Sequence, residues 1–304
     1  MLKTLGLALG ASLSLLLAAA AEAQEASPAP RMVQLDGSAV RVQTIGLETR
    51  KRGAPVVVFE AGLVSSLEAW RSVVGDVSEM APVVAYDRAG LGKSERDGVR
   101  PAPGHVTGRL RRLLRLVGAE PPYVLVGHSW GGVLTHYYAG RYPDEVAGLV
   151  FVDPAPVLTQ PLSGNLVPFQ AIGAGPAGFD AYWSTFGNVV SRAGPAAQAE
   201  FQVLRDLLQS EQSARDLRPL PKVPVVVLVA GQYLALPFHY PFDAKAHFEA
   251  DLRHRLKLLQ EWALASPDGL LLVSRTTSHS IPREEPQLIT WGISRVLELA
   301  NKSR

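Results

Sequence analysis

Apolar residues in this chain fall into short continuous runs separated by stretches of helical periodicity. Val56–Phe59, Val83–Tyr86, Tyr123–Gly127, Ala147–Val152, Val225–Ala230 and Leu270–Val273 are apolar almost throughout. Runs of that length predict strands covered on both faces. Val33–Leu35 and Val40–Ile45 read as two further strands around Asp36-Gly37-Ser38, a hairpin-type turn signal. Helices are predicted over Leu67–Val77, Gly108–Gly118, Trp130–Tyr142, Gln198–Leu208, Ala244–Ala265 and Glu284–Leu299. In Gly108–Gly118 the apolar residues Leu110, Leu113, Leu114 and Val117 share one face. Arg109, Arg111, Arg112 and Arg115 lie on the other, which reads as a solvated face rather than a basic binding patch. Strands alternating with helices predict an α/β fold with a mostly parallel sheet covered by helices on both sides.

The alternation lapses over residues 155–221, which carry Pro and Gly punctuation and the aromatics Phe169, Phe179, Tyr182, Trp183 and Phe186. A stretch this long is too long for plain loop and predicts a helical cap inserted between two strands. The expected organisation is a signal peptide over 1–23, core over 24–154, cap over 155–221 and core again over 222–304. The signal assignment rests on Lys3, the uncharged Leu/Ala-rich run Leu5–Ala21 and the cleavage pattern Ala21-Glu22-Ala23. Its rival is an uncleaved anchor, since the run is only slightly short for a membrane span. Removal of the segment implies an extracytoplasmic protein, periplasmic or secreted, with no stable membrane insertion.

Composition narrows the chemistry. The chain has 304 residues, 47% of them hydrophobic, a formal net charge of +2 and no Cys. A near-neutral chain of this kind has no electrostatic basis for nucleic-acid binding. The lack of Cys excludes disulfides, thiolate catalysis and Cys-based zinc sites. No His/Asp/Glu spacing suggests a metal. Gly90-Leu91-Gly92 resembles a dinucleotide loop, but Glu95 stands where the third Gly belongs. Gly92-Lys93-Ser94 resembles the end of a phosphate loop, but its first Gly falls on Asp87. No cofactor is expected.

The chemistry centres on Gly127-His128-Ser129-Trp130-Gly131, a G-x-S-x-G sequence between a buried strand and a helix. Glycines there permit the sharp turn that presents a Ser hydroxyl, and the helix N-terminus favours developing negative charge. The segment resembles the nucleophile turn of α/β-hydrolase-fold enzymes, and Asp87-Arg88-Ala89-Gly90-Leu91-Gly92-Lys93-Ser94 resembles a loop of the same family whose role is architectural. The likeness runs from about residue 33 to the end, with Ser129 as nucleophile. A Ser there speaks against the dehalogenases and epoxide hydrolases of this fold, which use Asp.

The family order is Ser, acid, His. Among seven histidines, His279 lies where the family keeps its base, in Thr277-Ser278-His279-Ser280-Ile281-Pro282. His239 is the reserve. His105 comes too early, His128 sits on a turn expected to direct it elsewhere, and His136, His247 and His254 fall within helices. The acid departs from pattern. Gly231-Gln232-Tyr233-Leu234-Ala235-Leu236, where most members place it, has no carboxylate. A minority draw it from the end of the preceding strand, here Asp153; Asp243 is the alternative. The resemblance implies an oxyanion hole formed by the amides of Trp130 and Leu63, with Glu60-Ala61-Gly62-Leu63 in place of the usual His-Gly. Glu60 is a candidate partner of Arg88.

These residues imply a serine esterase for a small-molecule substrate with a small or medium apolar acyl group. Trp183, Tyr233 and Phe238 are the candidate substrate contacts. An amidase or aminopeptidase of the same fold is the nearest rival, and a catalytically idle ligand-binding protein the next. Oligomeric state is not legible. Expressed in an exporting host, the mature protein is expected to begin at or near Gln24 and to stay soluble without detergent. N-terminal sequencing decides this, and membrane-bound protein retaining Leu5–Ala21 refutes it.

Overall fold

The computed structural model describes residues 28–155, 161–210 and 217–302, so the expected signal segment lies outside the described residues. The hairpin signal is used: β1 (Arg31–Leu35) pairs antiparallel with β2 (Ser38–Ile45), Leu35 opposite Ser38. The buried runs β3 (Val56–Glu60), β4 (Val83–Tyr86), β5 (Tyr123–His128) and β6 (Val146–Val152) follow, interleaved with α1 (Val74–Ser78), α2 (Pro103–Leu116) and α3 (Trp130–Arg141). Between β6 and β7 the described chain is helical: α4 (Leu162–Asn165), α5 (Val167–Ala171), α6 (Gly175–Val190) and α7 (Pro195–Leu208). Then come β7 (Val225–Ala230), α8 (Ala244–Leu264), β8 (Leu270–Ser274), α9 (Ile281–Glu284) and α10 (Pro286–Lys302). The strands form one sheet in the order β1-β2-β4-β3-β5-β6-β7-β8, parallel from β4 onward.

Side-chain alternation explains why the central strands are apolar without interruption. Val56, Val58, Leu125, Phe151 and Val227 pack on one face against α2, α3 and α8. Val57, Phe59, Val124, Val150 and Val226 pack on the other against α1 and α10. Both faces are dry, so neither tolerates a polar residue. A third apolar cluster joins the helical insert to the core: Phe169, Phe179, Val203 and Leu204 meet Leu63, Trp130 and Leu134. The insert therefore rests on the segments that precede and follow the β5 turn.

Three helices differ from their expected form. Residues 67–77 do not make one helix but a 3-10 turn, Leu67–Trp70, followed by α1. The Leu67 amide donates to the buried Asp87 carboxylate (2.7 Å), which fixes the start of the turn. Val73, Val74 and Gly75 are then poor propagators. α2 begins five residues early, at Pro103 in its first turn, and stops before Gly118 at φ +75°, a left-handed cap. Its Arg109 is not solvated but buried, donating to Ser38 Oγ (2.6 Å) and the Leu35 carbonyl. The last helix is divided, since Glu285 before Pro286 leaves the helical region. Among the described residues no helix is long and apolar enough to cross a membrane.

Candidate active site

Ser129 follows β5 and sits at the N-cap of α3 at φ +53°, ψ −117°, a conformation costly for a residue with a Cβ. Its amide donates to the Val152 carbonyl of the neighbouring strand (3.0 Å). The flanking glycines are steric necessities. A Cβ on Gly127 would lie 2.4 Å from Thr135 Oγ1 and 2.5 Å from the Gly131 carbonyl oxygen. One on Gly131 would lie 2.2 Å from the Glu60 carbonyl oxygen. The first lets α3 fold back on its strand, and the second lets the segment after β3 cross the start of α3. Gly62 in that segment faces the turn: its Cβ would lie 3.0 Å from His128 Nδ1 and 3.5 Å from Ser129 Cβ.

Arg88 holds this crossing segment in place. Its guanidinium donates to the carbonyls of Ala61 (2.6 Å) and Gly62 (2.7 Å) and to Glu60 (2.8 Å). On its other side it grips Glu200 of α7 through two bonds of 2.5 and 2.9 Å. A trans peptide points its N–H opposite its C=O, so drawing the Gly62 carbonyl toward Arg88 turns the Leu63 N–H away from it. Burial opposes the charge on Arg88, but Glu200 and Glu60 outweigh it and raise the pKa above the ordinary guanidinium value. Burial also raises Glu60, against the pull of Arg88 and of the Tyr86 hydroxyl donating at 2.5 Å. Asp87 does the same work for the next loop, accepting from the amides of Leu67 and Lys93. Gly92 is required there because a Cβ would fall 2.2 Å from the Asp87 carboxylate.

Asp153 follows β6 at φ +40° and is buried. One carboxylate oxygen accepts from the Ala230 amide (3.0 Å) and from Arg255 of α8 (2.9 Å). The other accepts from His279 Nδ1 (2.6 Å). Burial opposes ionisation, yet Arg255, His279 and the Ala230 amide outweigh it and hold Asp153 well below the usual carboxylate range. Arg255 also binds Asp251 (2.7 Å) and is held charged by both acids. Asp243 is occupied elsewhere: it caps α8, accepting from the amides of Lys245 and Ala246. The structure therefore brings Asp153, and not Asp243, to His279.

The loop carrying His279 crosses back over β7, where the Gly231 and Gln232 amides donate to the Ser274 and Thr277 carbonyls. Glu284 accepts from the Ser278 amide (2.7 Å), the Ser278 hydroxyl and the Thr277 hydroxyl. His128 is not directed away from this loop. Its Nε2 donates to the His279 carbonyl (2.8 Å), and the two rings lie 4.8 Å apart. Burial, followed by the nearby imidazole of His279, pushes His128 down to about 4, so it stays neutral near pH 7. The substrate contacts expected from sequence scatter. Trp183 packs into the insert's own aromatic core with Phe179, Phe186 and Phe201. Tyr233 meets Phe248 of α8, and Phe238 meets Tyr240. His239 is exposed. Arg255, Glu200 and the role of His128 were not anticipated from sequence.

Residues 55–219 match the model of the alpha/beta hydrolase fold family. Over 122 residues the chain is 34% identical to the uncharacterized protein YqjL of Bacillus subtilis (strain 168), covering 40% of this chain and 46% of that one. The chain thus spans less than half the length of this curated relative. Among solved structures, the epoxide hydrolase CorEH superposes with a TM-score of 0.62 at 18% identity, over 91% of this chain and 99% of the other. A putative lipase from Acinetobacter baumannii AYE gives 0.59 at 17% identity, over 91% and 93%. At these identities the structural likeness is one of fold.

Arg88→Met should destabilise the protein by about 3–5 kcal/mol, because it strands two buried carboxylates without a counter-charge. Urea unfolding of the two proteins checks this. A loss below about 1 kcal/mol would mean the clamp does not hold the fold.

Proposed function

Because the chain belongs to the α/β-hydrolase family, we propose that it is a serine hydrolase cleaving a carboxylic ester with a small or medium apolar acyl group. The observation that carries this reading is the 2.6 Å contact between His279 Nδ1 and the buried carboxylate of Asp153, beside the rim where Ser129 is held in its strained turn. With Nδ1–H committed to Asp153, Nε2 of the neutral ring is the free acceptor. Ser129 Oγ gives its proton to that nitrogen as it attacks the ester carbonyl carbon. The negative charge on the carbonyl oxygen is met by the amides of Trp130 and Leu63. His279 returns the proton to the leaving alcohol, and the acyl-enzyme forms. Water then repeats the sequence, losing a proton to His279 and releasing the acid and Ser129.

A hydroxyl at position 129 supports acyl transfer, whereas a carboxylate there would suit attack on a saturated carbon. The apolar acyl preference is supported by Leu234 and Leu236, both about half exposed, on the loop whose Gln232 is bonded to the His279 loop. Tyr233 on the same segment remains a proposed contact. An enzyme exported ahead of Gln24 would meet its substrate outside the cytoplasm.

Ser129→Ala and His279→Ala should each lower ester-hydrolysis kcat by about 10⁴-fold or more, and the double variant should be little worse. A fluorophosphonate probe should label native protein and not Ser129→Ala; labelling of the variant would remove Ser129 as nucleophile. Asp153→Asn should lower kcat by about 10³–10⁴-fold. Asp243→Asn, which keeps a helix-capping oxygen, should hold activity within about tenfold and leave the melting temperature near that of the native protein. The reverse pattern would return the acid to the conventional position.

Arg255 supplies a pH prediction. Burial opposes the charge on Asp153, and Arg255 is the first of the groups that outweigh it and hold the carboxyl below the usual range. A carboxylate depressed in this way contributes stability above its unfolded pKa and loses it as the pH falls. Arg255→Met should therefore cost about 3–5 kcal/mol of stability at neutral pH and less as the pH falls below about 4. Urea unfolding across that range checks this, and a loss that does not vary with pH would show that Arg255 serves packing alone.

A further inference from the structure

A cavity of about 300 Å³ lies beneath α7, between the insert and the core, and its lining contains none of Ser129, Asp153 or His279. Its volume is at the small end of the range for ligand sites, about 300–1,000 Å³. The floor is apolar, built from Leu35, Val40, Val106 and Leu113. Each titratable group on its deeper walls is already paired. Glu200 binds Arg88, and Asp97 binds His105 (2.8 Å) and stands 3.6 Å from Arg109. Arg100 at the rim pairs with Asp206. Arg96 differs from all of these. It lines the same cavity, is exposed, and has no ion-pair or hydrogen-bond partner among the described residues. Its stem runs close past Gly90, where a Cβ would lie 2.7 Å from Arg96 Cγ and 2.6 Å from Ala196 Cβ.

We propose that this cavity is a second ligand site, distinct from the Ser129 centre, that takes a small monocarboxylate with an apolar chain. The chain lies on the Leu35–Leu113 floor, and the carboxylate meets the Arg96 guanidinium at the mouth. An anion is selected because the acids in the lining are spent on internal partners while one guanidinium is not. A dianion would need a second free cation, which the lining does not offer among the described residues. The site needs no catalysis at Ser129. Its wall is the Arg88–Glu200 pair that holds the Ala61 and Gly62 carbonyls, so an occupant sits against the clamp on the segment facing Ser129.

Isothermal titration of the full mature chain with decanoate and with decanol, at pH 8, tests the assignment. Decanoate should bind saturably and decanol at least about tenfold more weakly, the bidentate carboxylate contact being lost. Arg96→Gln should weaken decanoate about tenfold or more. Ala199→Phe, which projects a ring into the cavity, should abolish binding. Arg96 is exposed and free of internal bonds, so its substitution keeps the fold and carries the test should Ala199→Phe fail to fold. Absence of saturable binding up to millimolar decanoate overturns the site. So does a decanoate affinity unchanged in either folded variant, or decanol binding as tightly as decanoate.

Discussion

A carboxylate buried at the end of a parallel strand stays ionised only if its surroundings replace the water it has lost. Asp153 obtains that replacement from three separate parts of the chain: the Ala230 amide at the end of β7, Arg255 on α8 and His279 beyond β8. Each partner must arrive in register for the charge to be tolerated, since an unpaired buried charge costs several kcal/mol. The positive φ at Asp153 follows from this demand. The chain must turn sharply off β6 to aim the carboxylate across the end of β7, and the three contacts to the side chain, with the bond from the Asp153 amide to the Leu228 carbonyl, hold the strained turn.

Arg88 is the same solution with the sign reversed. A buried guanidinium is satisfied by two carboxylates and two backbone carbonyls, and the groups it collects come from β3, the segment after it and α7. Asp153 ties the His279 side of the site to the sheet, and Arg88 ties the Gly62 side to the sheet and to the insert. The two networks approach Ser129 from opposite directions. Between them the turn at Ser129 is confined by Gly131 against the Glu60 carbonyl and by Gly62 against His128. Neither network contains water-exposed charge at its centre, so both are insulated from screening by salt.

The sheet was legible because its strands are dry on both faces and therefore uninterrupted; Val83–Tyr86 and Val225–Ala230 have the same bounds in sequence and structure. The break at residues 71–73 was not, because it depends on Asp87, twenty residues away, capturing the Leu67 amide. Asp153 could be singled out from the lack of a carboxylate after β7. Arg255 and Glu200 were missed, yet both carry a local signal. Arg255 interrupts the apolar stripe Phe248, Leu252, Leu259, Trp262 at the i+7 position, and Glu200 stands between Ala197 and Val203–Leu204 on the buried side of α7. A single charge on the apolar stripe of an otherwise amphipathic helix costs too much to be left unpaired, so it announces a buried counter-charge elsewhere in the chain.

That rule does not reach every buried arginine in this protein. Arg109 shares the polar face of its helix with Arg111 and Arg112, and Arg88 lies beyond the end of β4, yet both are consumed internally. Arg111 and Arg112 sit where the pattern calls for polar residues; Arg112 meets the exposed Asp36, a pair of little energetic weight, while Arg111 meets Glu145, a half-buried acid that also accepts from the Tyr138 hydroxyl. His128 shows where the pattern stops helping. It follows a run of apolar strand residues and looks like an ordinary strand end. Its ring lies across the His279 loop only because that loop, after β8, crosses back over the end of β7 and brings residues 151 positions apart into contact. Such a neighbour is set by topology, and a linear pattern holds no trace of it.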